Sequence, residues 1–368
     1  MTPPRHAAPT PPARPAAAQR GVTLLELLVG IVVSMLTVLA ITQVFLESER
    51  QRRIPATGAD AQVNGILALD AVQRDVRQAG YGLSGGPWLG TCTTGDLAEA
   101  ATVGLANLPL VPVSITPGSG TAPSDTIDVL ASGKVDAALQ VKLAEDHGDG
   151  NGKFVLPSTL GIEAGDWLIV STTAGTTCSA FQAQALALAE PWGVTPSGSV
   201  PAYASGSLIS NMGAAPLRRR WSVSDTFRLR ATDLVASATP ADTDDAYPDV
   251  VLLRAFYAKD TDGDGAIDTY DATLPATRSE WGQVIGLRLA LVVRSPQWNK
   301  EEVTTSAPEW NLGSATTAAG SAACADDTSS KCIALGVTHT AAGDEWKHYR
   351  YRMYESLIPL RNLLWNAG

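Results

Sequence analysis

Twenty consecutive residues without a formal charge, Leu27 to Leu46, follow a Pro- and Ala-rich start. That is about the length an α-helix needs to cross a hydrocarbon core. One carboxylate, Glu26, stands at its leading edge. The run passes into LESERQRR (46–53) with no small-residue cleavage site, so it reads as a retained anchor continuous with a longer helix, not a signal peptide. Pro55 and Gly58 predict an interruption and bend near 54–58. Apolar residues then recur at helical spacing, at Val63, Ile66, Leu67, Val72 and Val76, with Asp70, Arg74, Asp75 and Arg77 between them. Gly80, in AGYGLSGG, predicts the helix end.

Beyond that point the pattern changes to short apolar runs separated by turn residues. DTIDVLA (125–131), DWLIVSTT (166–173) and VVLLRAFYA (250–258) read as strands. TFRLRATDLVA (226–236) predicts a hairpin turning near 231–233. VIGLRLALVVRS (284–295) alternates, with Ile285, Leu287, Leu289, Leu291 and Val293 on one face and Arg288 and Arg294 on the other. YRYRMYESLIPLRN (349–362) supplies a last strand. The expected fold class is therefore α+β: one long N-terminal helix and a large β-rich body.

Composition agrees with that division. Among 368 residues, 33 Gly and 23 Pro favour turns over a helical bundle. Net charge is −10, and the first 21 residues carry Arg5, Arg14 and Arg20 with no acid, so the body is more acidic still. An acidic body is a poor partner for nucleic acid, and none is expected. The one dense basic patch, Arg218–Arg220, reads as a solvated strand or loop edge. Arginines before the apolar run place residues 1–20 in the cytoplasm and the body outside.

DTDGDGAIDTYD (260–271) has the spacing of a calcium loop. Asp260, Asp262, Asp264 and Asp268 stand at positions 1, 3, 5 and 9, and Gly265 at the sharp turn. Ala266 would offer its backbone carbonyl at position 7, and Asp271 occupies position 12, where an EF-hand has Glu. Close carboxylates repel one another, and a hard divalent cation relieves the repulsion. The flanks read as strands, so calcium is expected in a β setting, with affinity on the order of 10⁻⁴ to 10⁻³ M. EDHGDGNGKF (145–154) is a poorer match and reads as a hairpin turn.

Four cysteines outside the apolar run suggest disulfides in an oxidising compartment. Cys324 and Cys332, in CADDTSSKC, are expected to close a small loop, leaving Cys92 with Cys178. Three connectivities are open on spacing alone. There is no CxxC, HExxH, G-x-S-x-G, phosphate loop or dinucleotide fingerprint, so no catalytic residue and no enzymatic activity is expected. The nine Trp, including Trp88, Trp167, Trp192, Trp281, Trp298 and Trp310, suit core packing or a glycan groove.

RGVTLLELLVG (20–30) resembles the leader junction of type IV pilins and of the pseudopilins of type II secretion. In those families a basic leader ends in Gly and a Glu follows at the fifth mature position. The resemblance implies cleavage after Gly21 by the prepilin peptidase, with Val22 as the new, N-methylated terminus. It also makes Glu26 the assembly carboxylate, paired with a neighbouring subunit's α-amino group. Val22 departs from the usual Phe. LALDAVQRDVRQAGYG, with Arg77-Gln78-Ala79-Gly80-Tyr81, is similar to PilW-type minor pilins. So is the order of a Gly-Asp strand, an Asp-rich loop, the LRLALVVRS strand and a terminal LRN.

The resemblance implies a type IV pilin-like fold. Residues 1–21 are then a cleaved cytoplasmic leader and 22–46 the transmembrane half of the helix. Residues 47–80 are its amphipathic half, packed on an antiparallel sheet, and 81–368 a periplasmic head. The implied function is type IV pilus assembly, in a priming or tip complex, because so bulky a head would crowd a helical shaft. Implied partners are other minor pilins, the major pilin, the prepilin peptidase, the inner membrane and a pilus-tip adhesin. A J-type pseudopilin of type II secretion is one alternative. A membrane-tethered glycan-binding or hydrolytic protein is another.

Overall fold

The computed structural model describes residues 23–83, 110–120, 123–134, 140–174, 177–234, 243–314, 317–318 and 320–364. Of these, 46–60, 243–245, 317 and 364 are described by backbone alone. The chain divides into two units, Met1–Ala56 and Thr57–Gly368. Helix α1 (Leu24–Gln78) supplies the described residues of the first unit, apart from Thr23, and the opening of the second. Helical backbone is unbroken at Pro55 and Gly58. Proline removes one donor and crowds one carbonyl, and the flanking turns keep their own bonds.

In the second unit the helix buries a face of small residues: Ala61, Gly65, Ala68, Val72, Val76 and Ala79, with Asp75 among them. This corrects the face expected from the apolar pattern, since Val63, Ile66 and Leu67 are each more than half exposed. Small side chains let the helix backbone approach the sheet. Gly65 is the tightest point, where a Cβ would stand 2.3 Å from Cε2 of Tyr354. Gly65→Ala is expected to cost about 1–3 kcal/mol through overpacking. Ile66→Ala, on the exposed face, is expected to stay within about 0.5 kcal/mol. Urea unfolding of the two variants checks the assignment of faces.

Nineteen strands follow among the described residues of the second unit. The first are β1 (Val113–Thr116), β2 (Thr126–Ala131), β3 (Val141–Lys142), β4 (Phe154–Val155), β5 (Trp167–Ser171) and β6 (Cys178–Ala187). Next come β7 (Gly193–Pro196), β8 (Leu208–Gly213), β9 (Leu217–Val223), β10 (Arg228–Asp233), β11 (Thr243–Pro248) and β12 (Val250–Lys259). The last are β13 (Thr269–Asp271), β14 (Val284–Arg294), β15 (Glu309–Gly313), β16 (Thr317–Ala318), β17 (Ala322–Ala323), β18 (Lys331–Ala334) and β19 (Tyr351–Pro359). Short helices α2 (Arg278–Gly282) and α3 (Arg361–Leu364) flank β14 and close the described chain.

They form four sheets, in the orders β1-β2-β9-β10-β11, β16-β13-β12-β14-β19, β15-β18-β17 and β3-β8-β5-β6-β7-β4. The α1 face and the two five-stranded sheets share one core, with Val72, Val76, Ile127, Trp221, Leu253, Tyr257, Leu287 and Leu289 among its members. A second core, around Trp310, Val292 and Trp346, lies under the three-stranded sheet. The six-stranded sheet keeps its own, around Phe154, Leu168 and Phe181.

Three strand-level expectations change. The expected turn near 231–233 is not there: the turn is Ser224–Phe227, with Phe227 at φ 58°, and β10 runs through Ala231 and Asp233 against β9. Arg218–Arg220 are not an edge. They lie in β9, between β2 and β10, where Arg219 pairs with Asp75 and Arg220 with Asp128 at 2.7 Å. In β14, Leu287, Leu289, Leu291 and Val293 share the first core, but Ile285 turns to the second. A register shift at Ala258/Lys259 opposite it causes the switch.

Candidate functional site

The N-terminal segment is built from one cap and one apolar surface. Gly21 and Val22 lie outside the described residues. Thr23 precedes the helix, and its Oγ1 accepts from the Glu26 backbone N–H at 3.3 Å. That is the side-chain cap that Thr offers the first turn. The Thr-x-x-Glu spacing in the sequence is the capping-box signature of this helix start. Glu26 thus also sits where a helix N-terminus favours negative charge. Leu24–Phe45 follows as 22 residues, none of them buried. At 1.5 Å per residue it spans roughly 33 Å, enough to cross a bilayer core. The segment fits a membrane anchor.

The Asp-rich loop joins β12 to β13. Oxygens of Asp260, Asp262 and Asp268 lie within 4.8 Å of one another. Backbone donors shape the turn. Gly263 and Gly265, at φ 83° and 87°, donate to Asp260 at 2.7 and 2.8 Å. Positive φ is what glycine supplies without strain. The Thr261 N–H and hydroxyl both donate to Asp268 at 2.7 Å, and hold its carboxyl below the usual range. Asp264 stands outside the trio and accepts from the Ala266 N–H at 2.7 Å.

Asp271 also stands outside it. The loop exits into a strand, so position 12 is carried about 10 Å beyond position 9 at strand rise. There Asp271 meets Lys259 Nζ at 2.8 Å. Burial opposes its ionisation, but Lys259 and Thr273 outweigh that and hold the carboxyl low. The three clustered carboxylates are a hard-oxygen donor set of the kind calcium takes, with further oxygens needed from backbone or water. The second acidic turn is spent on structure: Asp146 accepts from Ser205 N–H at 2.7 Å and Asp149 from Ala202 N–H at 2.6 Å.

Cys324 and Cys332 are disulfide-bonded and hold β17 against β18. Cys178 is disulfide-bonded too, and Cys92 lies outside the described residues. Trp167, Trp221, Trp281, Trp310 and Trp346 are buried and Trp298 is exposed. Trp192 is half-buried, and Trp88 lies outside the described residues. His339 Nε2 is 3.0 Å from the Val251 carbonyl, and His348 Nδ1 is 2.9 Å from that of Asn299. These rings bond to main-chain carbonyls rather than to a Ser or Cys nucleophile.

Residues 221–362 match the family model PilW, type IV pilus-assembly protein W. The match supports a type IV pilus-related protein. The matched segment begins in β9 and ends in α3. It contains the Asp-rich loop, the LRLALVVRS strand and the terminal LRN, and leaves out α1 and the six-stranded sheet. No curated protein and no solved structure matches the chain.

Proposed function

We propose that this protein is a PilW-type minor pilin with a pilin-like fold, and that it acts in a priming or tip complex of the type IV pilus. The match over residues 221–362 carries the reading. The exposed apolar helix, with Glu26 in its first turn, supports it. The reading takes Gly21 as the last leader residue and Val22 as the methylated terminus. Glu26 pairs with a neighbouring subunit's α-amino group, which relieves a carboxylate otherwise costly in lipid. The head is periplasmic until the subunit joins the filament at the cell surface. Its partners are the prepilin peptidase, other minor pilins, the major pilin and a tip adhesin, and its role is assembly rather than catalysis.

Gly21→Leu in the native host is the test. The variant is expected to keep the leader, seen as a higher mass, and to fail to restore surface pili to a deletion strain. Normal mass and normal pili would overturn the reading. Loss of type II secretion with intact pili would move the protein to a pseudopilin role.

Calcium at Asp260, Asp262 and Asp268 belongs to the same proposal. At ten to a hundred times the dissociation constant, calcium should stabilise the protein by about 1.4–2.7 kcal/mol. A rise in thermal midpoint on adding calcium, absent in Asp260→Ala, is the expected result. Equal melting with calcium and with a chelator would dismiss the site.

A further inference from the structure

Lys134, Asp166 and Asn211 converge from three parts of the second unit. Lys134 follows β2, Asp166 precedes β5, and Asn211 lies within β8. Lys134 Nζ and Asn211 Nδ2 each donate to the same atom, Asp166 Oδ2, at 2.9 Å. The amine and the carboxamide nitrogen thus share one acceptor, and Asn211 Nδ2 is further held by Gly161 O at 2.8 Å. All three side chains are nearly enclosed: Asn211 is 1% exposed, and the Lys134 and Asp166 side chains 11% and 4%. The backbones also meet, since a Cβ on Gly213 would stand 2.9 Å from Lys134 N.

We propose that Lys134 and Asn211 join in an intramolecular amide bond, with Asp166 relaying the proton. The chemistry balances within the chain. The Lys134 ammonium gives a proton to Asp166 Oδ2. The free amine attacks Asn211 Cγ, and charge gathers on Oδ1. Gly213 N–H already donates to Oδ1 at 2.8 Å, as an oxyanion donor should. Asp166 returns that proton to Nδ2 and the Cγ–Nδ2 bond breaks. Asp166 then takes the second proton from Nζ and passes it to the departing nitrogen, so the new Cγ–Nζ bond is a neutral amide and ammonium leaves. Nothing is oxidised or reduced. Fixed geometry supplies what solution amines and amides lack.

The protonated amine is the starting state. Burial opposes the charge on Lys134, but Asp166 and Glu163 outweigh it and hold the ammonium above its usual range. The reaction is therefore a slow maturation. Its product ties the chain after β2, in one five-stranded sheet, to β8 in the six-stranded sheet. Those sheets meet here through a small shared core of Leu130, Trp167, Ile169 and Met212, and a covalent link beside it resists pulling in a way that one ion pair does not.

Peptide mapping of the detergent-solubilised full chain, stored for days after purification, tests this. The expected result is a branched tryptic peptide joining Lys134 to Asn211, lighter by one ammonia, with cleavage after Lys134 blocked. Lys134→Arg keeps the ion pair and should show neither. Asp166→Asn should retain the unlinked peptides. Recovery of unlinked Lys134 and Asn211 peptides from the stored wild type overturns the proposal. So does a link lighter by one water, which would make Asp166 the acyl partner.

Discussion

Asp125→Ala is expected to destabilise the second unit by about 3–5 kcal/mol. Asp125 is 1% exposed and stands just before β2. Its Oδ1 accepts from Gly118 N–H at 2.9 Å and from Arg254 Nη1 at 2.7 Å. Its Oδ2 accepts from Ala255 N–H at 2.9 Å. The backbone adds Asp125 N–H to Leu253 O, at 2.8 Å. One carboxylate thus fastens the first five-stranded sheet to β12 of the second. Truncation orphans two main-chain donors at about 1–3 kcal/mol each. Arg254, 29% exposed at its side chain, recovers part of its loss from water. Arg254→Met added to Asp125→Ala therefore returns little, because the main-chain donors stay unpaired. Urea unfolding of the full chain, followed by tryptophan fluorescence, should show a lower midpoint at unchanged slope. A loss under about 1 kcal/mol would mean that water replaces the carboxylate.

The strands were legible as short apolar or alternating runs bounded by turn residues, whether both faces are buried, as in β5, or only one. DTIDVLA and DWLIVSTT appear as β2 and β5, and YRYRMYESLIPLRN holds β19. Legibility failed where partners rather than period decide. Arg218–Arg220 look like a solvated patch because their counter-charges, Asp75 and Asp128, are distant in sequence. On α1, Val63, Ile66 and Leu67 look like the core face by size, yet the sheet accepts the face with Gly65 and Ala68. Close approach selects for smallness, and a hydrophobic pattern counts bulk. Bulges hide too: Ile285 changes face because it is the extra residue of a bulge in β14, between Gly286 paired with Ala258 and Val284 paired with Lys259, which the apolar alternation does not record.

The Asp-rich loop divides in the same way. Asp260, Asp262 and Asp268 were legible because alternate residues on a tight turn converge, and Gly263 and Gly265 permit that turn. Asp271 was placed by analogy with a loop that exits into a helix. A strand exits here, and the carboxylate meets Lys259 on the neighbouring strand instead. The convergence of Lys134, Asp166 and Asn211 has no local signature at all. It depends on how the chain after β2, the start of β5 and the middle of β8 come together.

Trp310→Ala is expected to cost about 3–5 kcal/mol, as truncation of a buried Trp does. Trp310 is fully buried in β15, stacked on Phe256 with ring centroids 5.4 Å apart. Arg288 lies over its ring at 5.8 Å and donates to Asn311 O and to Glu355 Oε2. The indole N–H donates to the same Glu355 oxygen. Alternation of Glu309, Trp310, Asn311 and Leu312 points Trp310 and Leu312 to the second core. Trp310 therefore pins the three-stranded sheet onto β12 and β14. The Cys324–Cys332 disulfide cannot replace it, because it joins β18 only to the segment beside β17, within that sheet. Amide hydrogen exchange should accordingly rise across β15 and β18 in Trp310→Ala, and stay at wild-type levels in β5 and β8. Trp310→Phe keeps the ring and loses one hydrogen bond, so its cost should fall to about 1–2 kcal/mol. Equal loss of protection in the six-stranded sheet would mean that the head unfolds as one cooperative body and that Trp310 holds more than a local lid.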